Sequence, residues 1–174
     1  HVSFATLPGM ADRTITIGGY SKTFSITGWR IGYSVAAARW AQAIGAMNDL
    51  LYVCAPTPLQ AGVAAGIQEL PDSFYRDLAR DYQQKRDRFC QALAKAGLTP
   101  SIPQGAYYVL ADTSRLPGTT GKARAMFLLE TIGLAGVPGE AFFSGPEGAQ
   151  FVRFSYAKID SDIDDACRRL ARLG

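Results

Sequence analysis

The chain has 174 residues, of which 48% are hydrophobic and 19% are charged, and its formal net charge at pH 7 is +3. This composition is typical of a globular protein and excludes a disordered one. Because the charges are interspersed without a basic stripe, and no apolar run approaches the roughly 20 residues of a membrane span, we expect neither a nucleic-acid partner nor a membrane partner.

The first third of the chain predicts two strands joined by a loop. Residues 14–17 alternate polar and apolar β-branched side chains, which indicates a strand, and Gly18 and Gly19 are expected to end it. Residues 20–28 are expected to form a loop. Residues 29–35 alternate again and predict the second strand.

Three helices are predicted next. Apolar side chains recur at helical spacing over residues 36–51 and 59–70. The clearest signal is a long helix over residues 73–97, where Gly97 is expected to stop the helix and Leu98 to provide the following hydrophobic contact.

The remainder of the chain predicts strands and helices in mixed order. Residues 106–110 and 151–156 are strand candidates, and residues 122–132 are a helix candidate. Residues 136–143 predict a short strand with a bend, because a Pro-Gly pair lies inside it. Ser161 is expected to cap a last helix.

This order of elements predicts an α/β fold. We divide the chain at the start of the long helix. Residues 1–72 are expected to be part of one domain, and residues 73–174 the linking helix (73–97) followed by a small α+β domain.

The cysteines and the first residue indicate the cellular compartment and whether the chain is a fragment. Cys54, Cys90 and Cys167 are odd in number and lack metal-ligand spacing, so we expect reduced thiols in a cytoplasmic protein and no metal site. No signal peptide is apparent. Because the chain starts at His1 without a methionine, we expect a fragment of a longer protein.

Lys22 is the first candidate for a catalytic residue. It follows a predicted strand and a glycine pair, a place where side chains are aimed into a cleft, and Arg30 lies eight residues further on. A phosphate-binding P-loop is excluded, because that motif requires glycines where this chain has Ser21 and Thr16.

The stretch from Ser21-Lys22-Thr23-Phe24 to Gly28-Trp29-Arg30-Ile31-Gly32-Tyr33 closely resembles the lysine motif of class I/II pyridoxal-phosphate-dependent aminotransferases. The resemblance implies the C-terminal part of a transferase of fold type I, with the end of the large-domain sheet and a small α+β domain. It implies that Lys22 forms a Schiff base with pyridoxal 5'-phosphate and that Arg30 binds the cofactor phosphate. Many members have Ser or Asn where this chain has Gly19, so phosphate binding is expected to depend more on Arg30 and Ser21.

The residue types suit this chemistry. A deprotonated amine can attack a carbonyl and, once released, can move a proton at the substrate α-carbon. Desolvation and nearby positive charge both favour the deprotonated form of a lysine such as Lys22. A guanidinium such as that of Arg30 holds a phosphate through two parallel hydrogen bonds.

Arg153 is the second candidate. Within residues 151–156, Val152, Phe154 and Tyr156 share one face of the predicted strand, and Arg153 lies on the other. The segment resembles the family strand whose arginine binds the substrate α-carboxylate. Residues 103–108 and 138–142 also resemble small-domain segments of the family, in which turn and core roles are expected. Gly105 and Tyr107 are expected to approach the substrate.

The resemblance covers residues 1–174, and these correspond to the family's chain without its first half. That half is expected to hold an acid for the pyridine nitrogen, an aromatic residue that stacks on the ring and an asparagine near the ring oxygen. We therefore expect this chain alone to be inactive. A truncated parallel sheet is expected to leave an unpaired edge and an uncovered apolar face.

The function implied is transfer of an amino group from an amino acid to a 2-oxo acid by a homodimer. One alternative is a lyase or synthase of the same fold that uses the same lysine and arginines. Another is an aminotransferase-like effector domain of a transcriptional regulator, which requires a DNA-binding helix-turn-helix domain ahead of this region.

Overall fold

The computed structural model describes residues 2–173. They form two compact units that divide after Leu78. This division falls inside the long helix. The boundary predicted from the sequence, after residue 72, lies six residues earlier. Within residues 2–173, none of the helices combines the length and the apolar composition that a membrane-spanning helix needs.

The first unit contains a small sheet and two complete helices. Strand β1 (Thr16–Gly19) pairs antiparallel with β2 (Gly32–Val35). Helices α1 (Ala38–Tyr52) and α2 (Thr57–Glu69) follow, close to the predicted positions. Short 3-10 turns cover Phe4–Thr6, Ala11–Arg13 and Thr27–Trp29.

The glycine pair forms the last two residues of β1, so the strand runs through the pair and ends at Gly19, where the predicted loop begins. Gly18 is opposite Tyr33 in the register, and a Cβ on Gly18 would stand 2.3 Å from the Tyr33 ring. The absence of a side chain therefore makes room for a cross-strand aromatic ring. The pairing with β2 is also antiparallel, where the end of a parallel sheet was expected.

Helix α3 (Asp72–Lys95) confirms the predicted long helix and its end. Gly97 has a φ of +77°, and the Leu98 N–H donates to the Leu93 carbonyl at 3.0 Å. This is the glycine-terminated motif in which a left-handed residue satisfies the last carbonyls. Leu98 is 1% exposed, so it also makes the predicted hydrophobic contact.

The second unit is a four-stranded antiparallel sheet with two complete helices. The sheet order is β3-β4-β6-β5, which places β6 in the interior. The strands are β3 (Thr99–Ser101), β4 (Tyr108–Asp112), β5 (Val137–Pro138) and β6 (Phe151–Ser155). The helices are α4 (Gly121–Ile132) and α5 (Asp160–Leu170).

Three details of the second unit differ from the sequence prediction. Strand β3 was not predicted, because Pro100 obscures its signal; prolines are tolerated in edge strands such as this one. After β5 the chain turns into a 3-10 segment, Gly139–Ala141, at the bend expected from the Pro-Gly pair. Helix α5 starts two residues earlier than predicted, with Ile159 at the N-cap and no side-chain cap, so the capping role predicted for Ser161 was wrong.

The two units differ in how much apolar surface they bury. In the second unit, Val152, Phe154 and Tyr156 are each at most 2% exposed, which confirms the predicted inner face of β6. Among the described residues of the first unit, the buried hydrophobic side chains are Ile31 and Val63. The other apolar side chains described in that unit are half-buried or exposed, and the exposed ones, such as Leu50 and Leu51, leave apolar surface without cover, as expected for this part of the fold.

Candidate active site

The lysine loop, residues 20–30, connects β1 and β2 and is closed by backbone hydrogen bonds. The Tyr20 N–H donates to the Ile31 carbonyl at 3.2 Å, and the Phe24 N–H donates to the Tyr20 carbonyl at 3.1 Å. A further bond of 3.4 Å runs from the Ser25 N–H to the Lys22 carbonyl. Lys22 thus lies within a tight turn directly after β1, and its side chain is exposed.

Arg30 lies at the other end of the lysine loop in an uncommon backbone conformation. Its φ of +59° is in the left-handed region, which is rare for a residue other than glycine and is found more often at functional sites. Its guanidinium donates to the Thr27 carbonyl at 2.9 Å, and the Thr27 hydroxyl donates to the Ser21 carbonyl at 3.2 Å. These bonds place Ser21, Lys22 and Arg30 on one closed loop.

Aromatic rings hold the lysine loop in place. The ring of Tyr20 stacks on Phe24 at 5.8 Å and contacts Tyr33 at 5.1 Å between centroids. The ring of Phe24 in turn lies 6.1 Å from that of Phe74. The Trp29 ring lies so close to α2 that a Cβ on Gly62 would be 2.9 Å from it. This aromatic support was not predicted from the sequence, although Tyr20 and Phe24 are four residues apart and so can meet across one turn.

An apolar cavity of about 380 Å³ lies beside the loop, within the first unit. Its walls include Phe24 and Trp29 from the loop, Val63 and Gly66 from α2, and Phe74 from the start of α3. The loop therefore lies against apolar side chains of α2 and α3, and aromatic packing contributes to its support.

Arg153 lies on β6 in the second unit, opposite Leu110 of β4 and Val137 of β5. Its guanidinium carbon is 4.9 Å from the centroid of the Tyr108 ring and 4.3 Å from that of Phe142. The side chain is half-buried. Within residues 2–173, Arg153 makes no hydrogen bond or ion pair with another side chain, and its charge is contacted by aromatic rings instead.

Gly105 and Tyr107 lie in the segment before β4, in the same unit as Arg153. The buried Tyr156 fixes this segment: its phenol donates to the Ala106 carbonyl at 2.8 Å, and its N–H donates to the Tyr107 carbonyl at 3.0 Å. Burial raises the pKa of Tyr156, so the phenol stays protonated and remains a donor at neutral pH. Around Gly105 there is open space, since a Cβ there would meet no atom within 4 Å.

Comparison with known proteins identifies the family. The model of the family "Aminotransferase class I and II" matches residues 3–170. The chain belongs to this family. The class I and II aminotransferases depend on pyridoxal phosphate, so the family membership also identifies the cofactor.

Individual relatives agree with the family assignment. The chain is 37% identical to a kynurenine–oxoglutarate transaminase of Dictyostelium discoideum, over 99% of this chain and 44% of the relative. A mouse kynurenine–oxoglutarate transaminase 3 is 35% identical over 95% of this chain and 40% of its own length. The chain therefore spans less than half the length of the curated relatives it matches.

Solved structures share the fold. A structure from Escherichia coli described as having a methionine aminotransferase function superposes with a TM-score of 0.91 and 29% identity, over 99% of this chain and 45% of that one. The N-succinyldiaminopimelate aminotransferase of Mycobacterium tuberculosis superposes with a TM-score of 0.89 and 31% identity, over 98% of this chain and 44% of that one. The α/β fold inferred from the sequence is thus that of pyridoxal-phosphate-dependent aminotransferases.

The donor set of the lysine loop fits the cofactor. Pyridoxal phosphate presents an aldehyde, which a primary amine can bind, and a phosphate, which needs several N–H and O–H donors. Lys22 supplies the amine and Ser21 a hydroxyl. Arg30 supplies a planar group with five N–H donors, one of which is bound to Thr27. Among the described residues, no cluster of His, Cys, Asp and Glu could hold a metal ion.

The three cysteines are free thiols: Cys54 is exposed, Cys90 is buried and Cys167 is half-buried. Desolvation by burial raises the pKa of Cys90, which keeps that thiol protonated and unreactive. None of the three lies in the lysine loop or on β6. They therefore take no part in the candidate site.

Proposed function

We propose that the protein containing this chain is a pyridoxal-phosphate-dependent aminotransferase that moves an amino group from an amino acid to a 2-oxo acid. The observation that carries the proposal is the closed loop that holds Ser21, Lys22 and Arg30 between two paired strands. When bound, the cofactor supplies the electron sink that makes the substrate α-proton acidic.

In this proposal, the Lys22 amine would hold the cofactor aldehyde with loss of water, and the substrate amine would replace it there. The Lys22 amine freed by this exchange would then move the proton at the substrate α-carbon. Both roles need an amine whose direction is fixed, because a proton transfer requires hydrogen-bond reach. The turn closed by the Ser25 N–H and the Lys22 carbonyl supports this, since it fixes the backbone from which the side chain starts.

Arg30 and Ser21 are proposed to bind the cofactor phosphate. The bond from Arg30 to the Thr27 carbonyl orients the guanidinium and leaves other N–H groups for the phosphate oxygens. The bond from Thr27 to the Ser21 carbonyl joins the two ends of the loop. A change at either end would therefore move both phosphate-binding residues.

Arg153 is proposed to bind the substrate α-carboxylate, with Gly105 and Tyr107 close to the substrate. This role of Arg153 is supported by two observations: its guanidinium has no acidic partner among residues 2–173, and its side chain is half-buried. A half-buried cation without a protein anion is favourable when a ligand provides the anion.

We also propose that the whole protein acts as a homodimer. The support is the exposed apolar surface of the first unit, where Leu50 is 80% exposed and Leu51 is 79% exposed. Adjacent leucines this exposed mark a surface that another part of an assembly covers.

The relatives suggest which substrates to assay. Kynurenine with 2-oxoglutarate follows from the names of the Dictyostelium and mouse relatives, and methionine from the description of the Escherichia coli structure. Formation of glutamate from 2-oxoglutarate with either donor would establish amino-group transfer by the whole protein.

The first prediction concerns Lys22→Ala in the whole protein. We expect the variant to lose the visible absorbance of covalently held cofactor and to lose amino transfer with it, because no other residue of the loop carries a primary amine. Absorbance spectra and a coupled glutamate assay measure the two effects. Lys122→Ala, at an exposed lysine of α4, is the matched control and should behave like the parent protein.

Two results would contradict the proposal. Retention of amino transfer and of the cofactor spectrum in Lys22→Ala would show that another lysine holds the cofactor. If the parent protein shows the cofactor spectrum but releases ammonia from the amino acid without any need for a 2-oxo acid, the result would instead favour a lyase of the same fold.

A further inference from the structure

Arg153 is held by aromatic rings where an acidic partner would be usual for a half-buried arginine. Its guanidinium carbon lies 4.9 Å from the Tyr108 ring centroid and 4.3 Å from the Phe142 ring centroid. Both distances are within the roughly 6 Å over which the face of an aromatic ring attracts a cation. We call Tyr108 and Phe142 the aromatic bracket.

The sheet register places the first ring. Leu110 is directly opposite Arg153, and Tyr108 is directly opposite Ser155. Side chains two residues apart on a strand share a face, so Tyr108, Leu110 and Arg153 all lie on the face opposite the buried core. Tyr108 is thus the diagonal neighbour of Arg153, at a separation that aromatic and long side chains can span.

The 3-10 turn after β5 places the second ring. The Phe142 N–H donates to the Gly139 carbonyl at 2.8 Å. Within the same turn, Glu140 accepts a hydrogen bond of 2.6 Å from the Gly121 N–H, at the start of α4. The turn is therefore attached to α4, and Phe142 reaches Arg153 from a fixed backbone.

From this arrangement we infer that Tyr108 and Phe142 are positioning residues that hold the guanidinium of Arg153 ready for a carboxylate. The inference rests on the proposed role of Arg153. An acidic side chain could also hold the guanidinium, but it would occupy the N–H donors and compete with the ligand. Aromatic rings attract the charge through their π faces, so they leave those donors to the ligand.

The test compares ring removal with ring retention in the whole protein. Phe142→Leu and Tyr108→Leu remove one ring each, and we expect KM for the amino acid and for 2-oxoglutarate to rise about 3–10-fold per ring, with a smaller change in kcat. Phe142→Tyr and Tyr108→Phe keep the rings and should restore KM to within about twofold of the parent. Isothermal titration with 2-oxoglutarate should show the same order of affinities without turnover.

A neighbouring aromatic residue provides the matched control. Phe143 follows Phe142 in sequence, but its ring stacks on Phe151 at 5.6 Å. Phe143→Leu removes a comparable packing contact from the same segment and should leave KM unchanged. A rise in KM in Phe143→Leu equal to that in Phe142→Leu would show that general loosening of the segment causes the effect, and would overturn the inference.

Arg153→Ala separates failure of the inference from failure of the proposed function. If Arg153→Ala raises KM strongly while both leucine variants of the bracket keep the parent KM, the bracket is wrong and the role of Arg153 stands. If Arg153→Ala leaves KM and the 2-oxoglutarate affinity unchanged, the proposed role of Arg153 fails and the bracket fails with it.

Discussion

At the scale of single residues, each of two arginines is expected to bind a different anion: Arg30 the cofactor phosphate and Arg153 the substrate carboxylate. Arg30 belongs to the lysine loop and has a hydrogen bond to the backbone of that loop. Arg153 belongs to a sheet in the other unit and has aromatic contacts. Since the surroundings differ, removal of each arginine should affect a different ligand.

We expect Arg153→Ala in the whole protein to weaken amino-acid and 2-oxo-acid use by on the order of 2–5 kcal/mol, because the substrate carboxylate would be left without its charged partner. Cofactor affinity should change little. Arg30→Ala should do the reverse and release the cofactor more readily. Steady-state kinetics and titration of the apoprotein with pyridoxal phosphate measure the two effects, and an exchanged pattern would mean that the roles assigned to the two arginines are swapped.

At the scale of elements, the turn after β5 depends on glycine. A Cβ on Gly139 would stand 2.2 Å from the Gly148 carbonyl oxygen and 2.8 Å from that of Phe151. Both atoms belong to the backbone, so neither can move aside as the end of a flexible side chain could. The turn that presents Phe142 therefore requires close approach of three backbone segments.

We expect Gly139→Ala to destabilise the second unit by about 1–3 kcal/mol, the usual cost of forcing an extra group into a packed region. Hydrogen–deuterium exchange of the amides in β6 should accelerate accordingly, and this measurement reports the second unit by itself. Gly105→Ala is the control in the same unit, since a Cβ there meets nothing within 4 Å. Equal exchange rates in the Gly139 variant and the parent would show that the turn can relax.

The helices show how much of each element the sequence reveals. The apolar stripe of α3 and the glycine at its end are local signals, and both were recognised correctly. The start of α5 was placed two residues late, because a serine near a helix start is a common cap, whereas here Ile159 takes the N-cap position with an extended backbone and no side-chain hydrogen bond. Errors of this size are expected at helix ends, which are defined by few hydrogen bonds.

At the scale of the whole molecule, buried and exposed apolar surface are distributed unevenly. The second unit has a continuous core from α3, the sheet and both following helices. In the first unit Ile17 is 82% exposed, Leu50 is 80% exposed and Val53 is 69% exposed. Such a surface favours association in water, because burying it releases ordered solvent.

We expect the 174-residue chain, purified by itself, to form species heavier than its monomer mass of 18.7 kDa. Replacing Leu50 and Leu51 together by Gln should shift the population towards the monomer, since both side chains are about four-fifths exposed. Met126→Gln, at a partly exposed position of α4, should not. Size-exclusion chromatography with light scattering measures the mass, and a parent chain that remains monomeric at high micromolar concentration would contradict this prediction.

The sequence by itself determined the features that depend on short-range chemistry. The spacing of Lys22 and Arg30 identified the family, periodicity identified α3, and strict alternation separated Arg153 from the buried face of β6. Each of these signals lies within a few turns of helix or one strand, so the residues that carry it are adjacent in the sequence.

Only the tertiary structure decided which side chains meet across strands. Gly18 and Gly19 indicate a strand end in the sequence, and β1 does end at Gly19, but the sequence does not show that the Tyr33 ring occupies the space where a Gly18 side chain would lie. Tyr108 and Phe142 read as core and turn residues, yet the sheet register and a 3-10 turn bring them to Arg153. The physical reason is that strand register is set by long-range hydrogen bonds and by the burial of one face, and local periodicity contains neither.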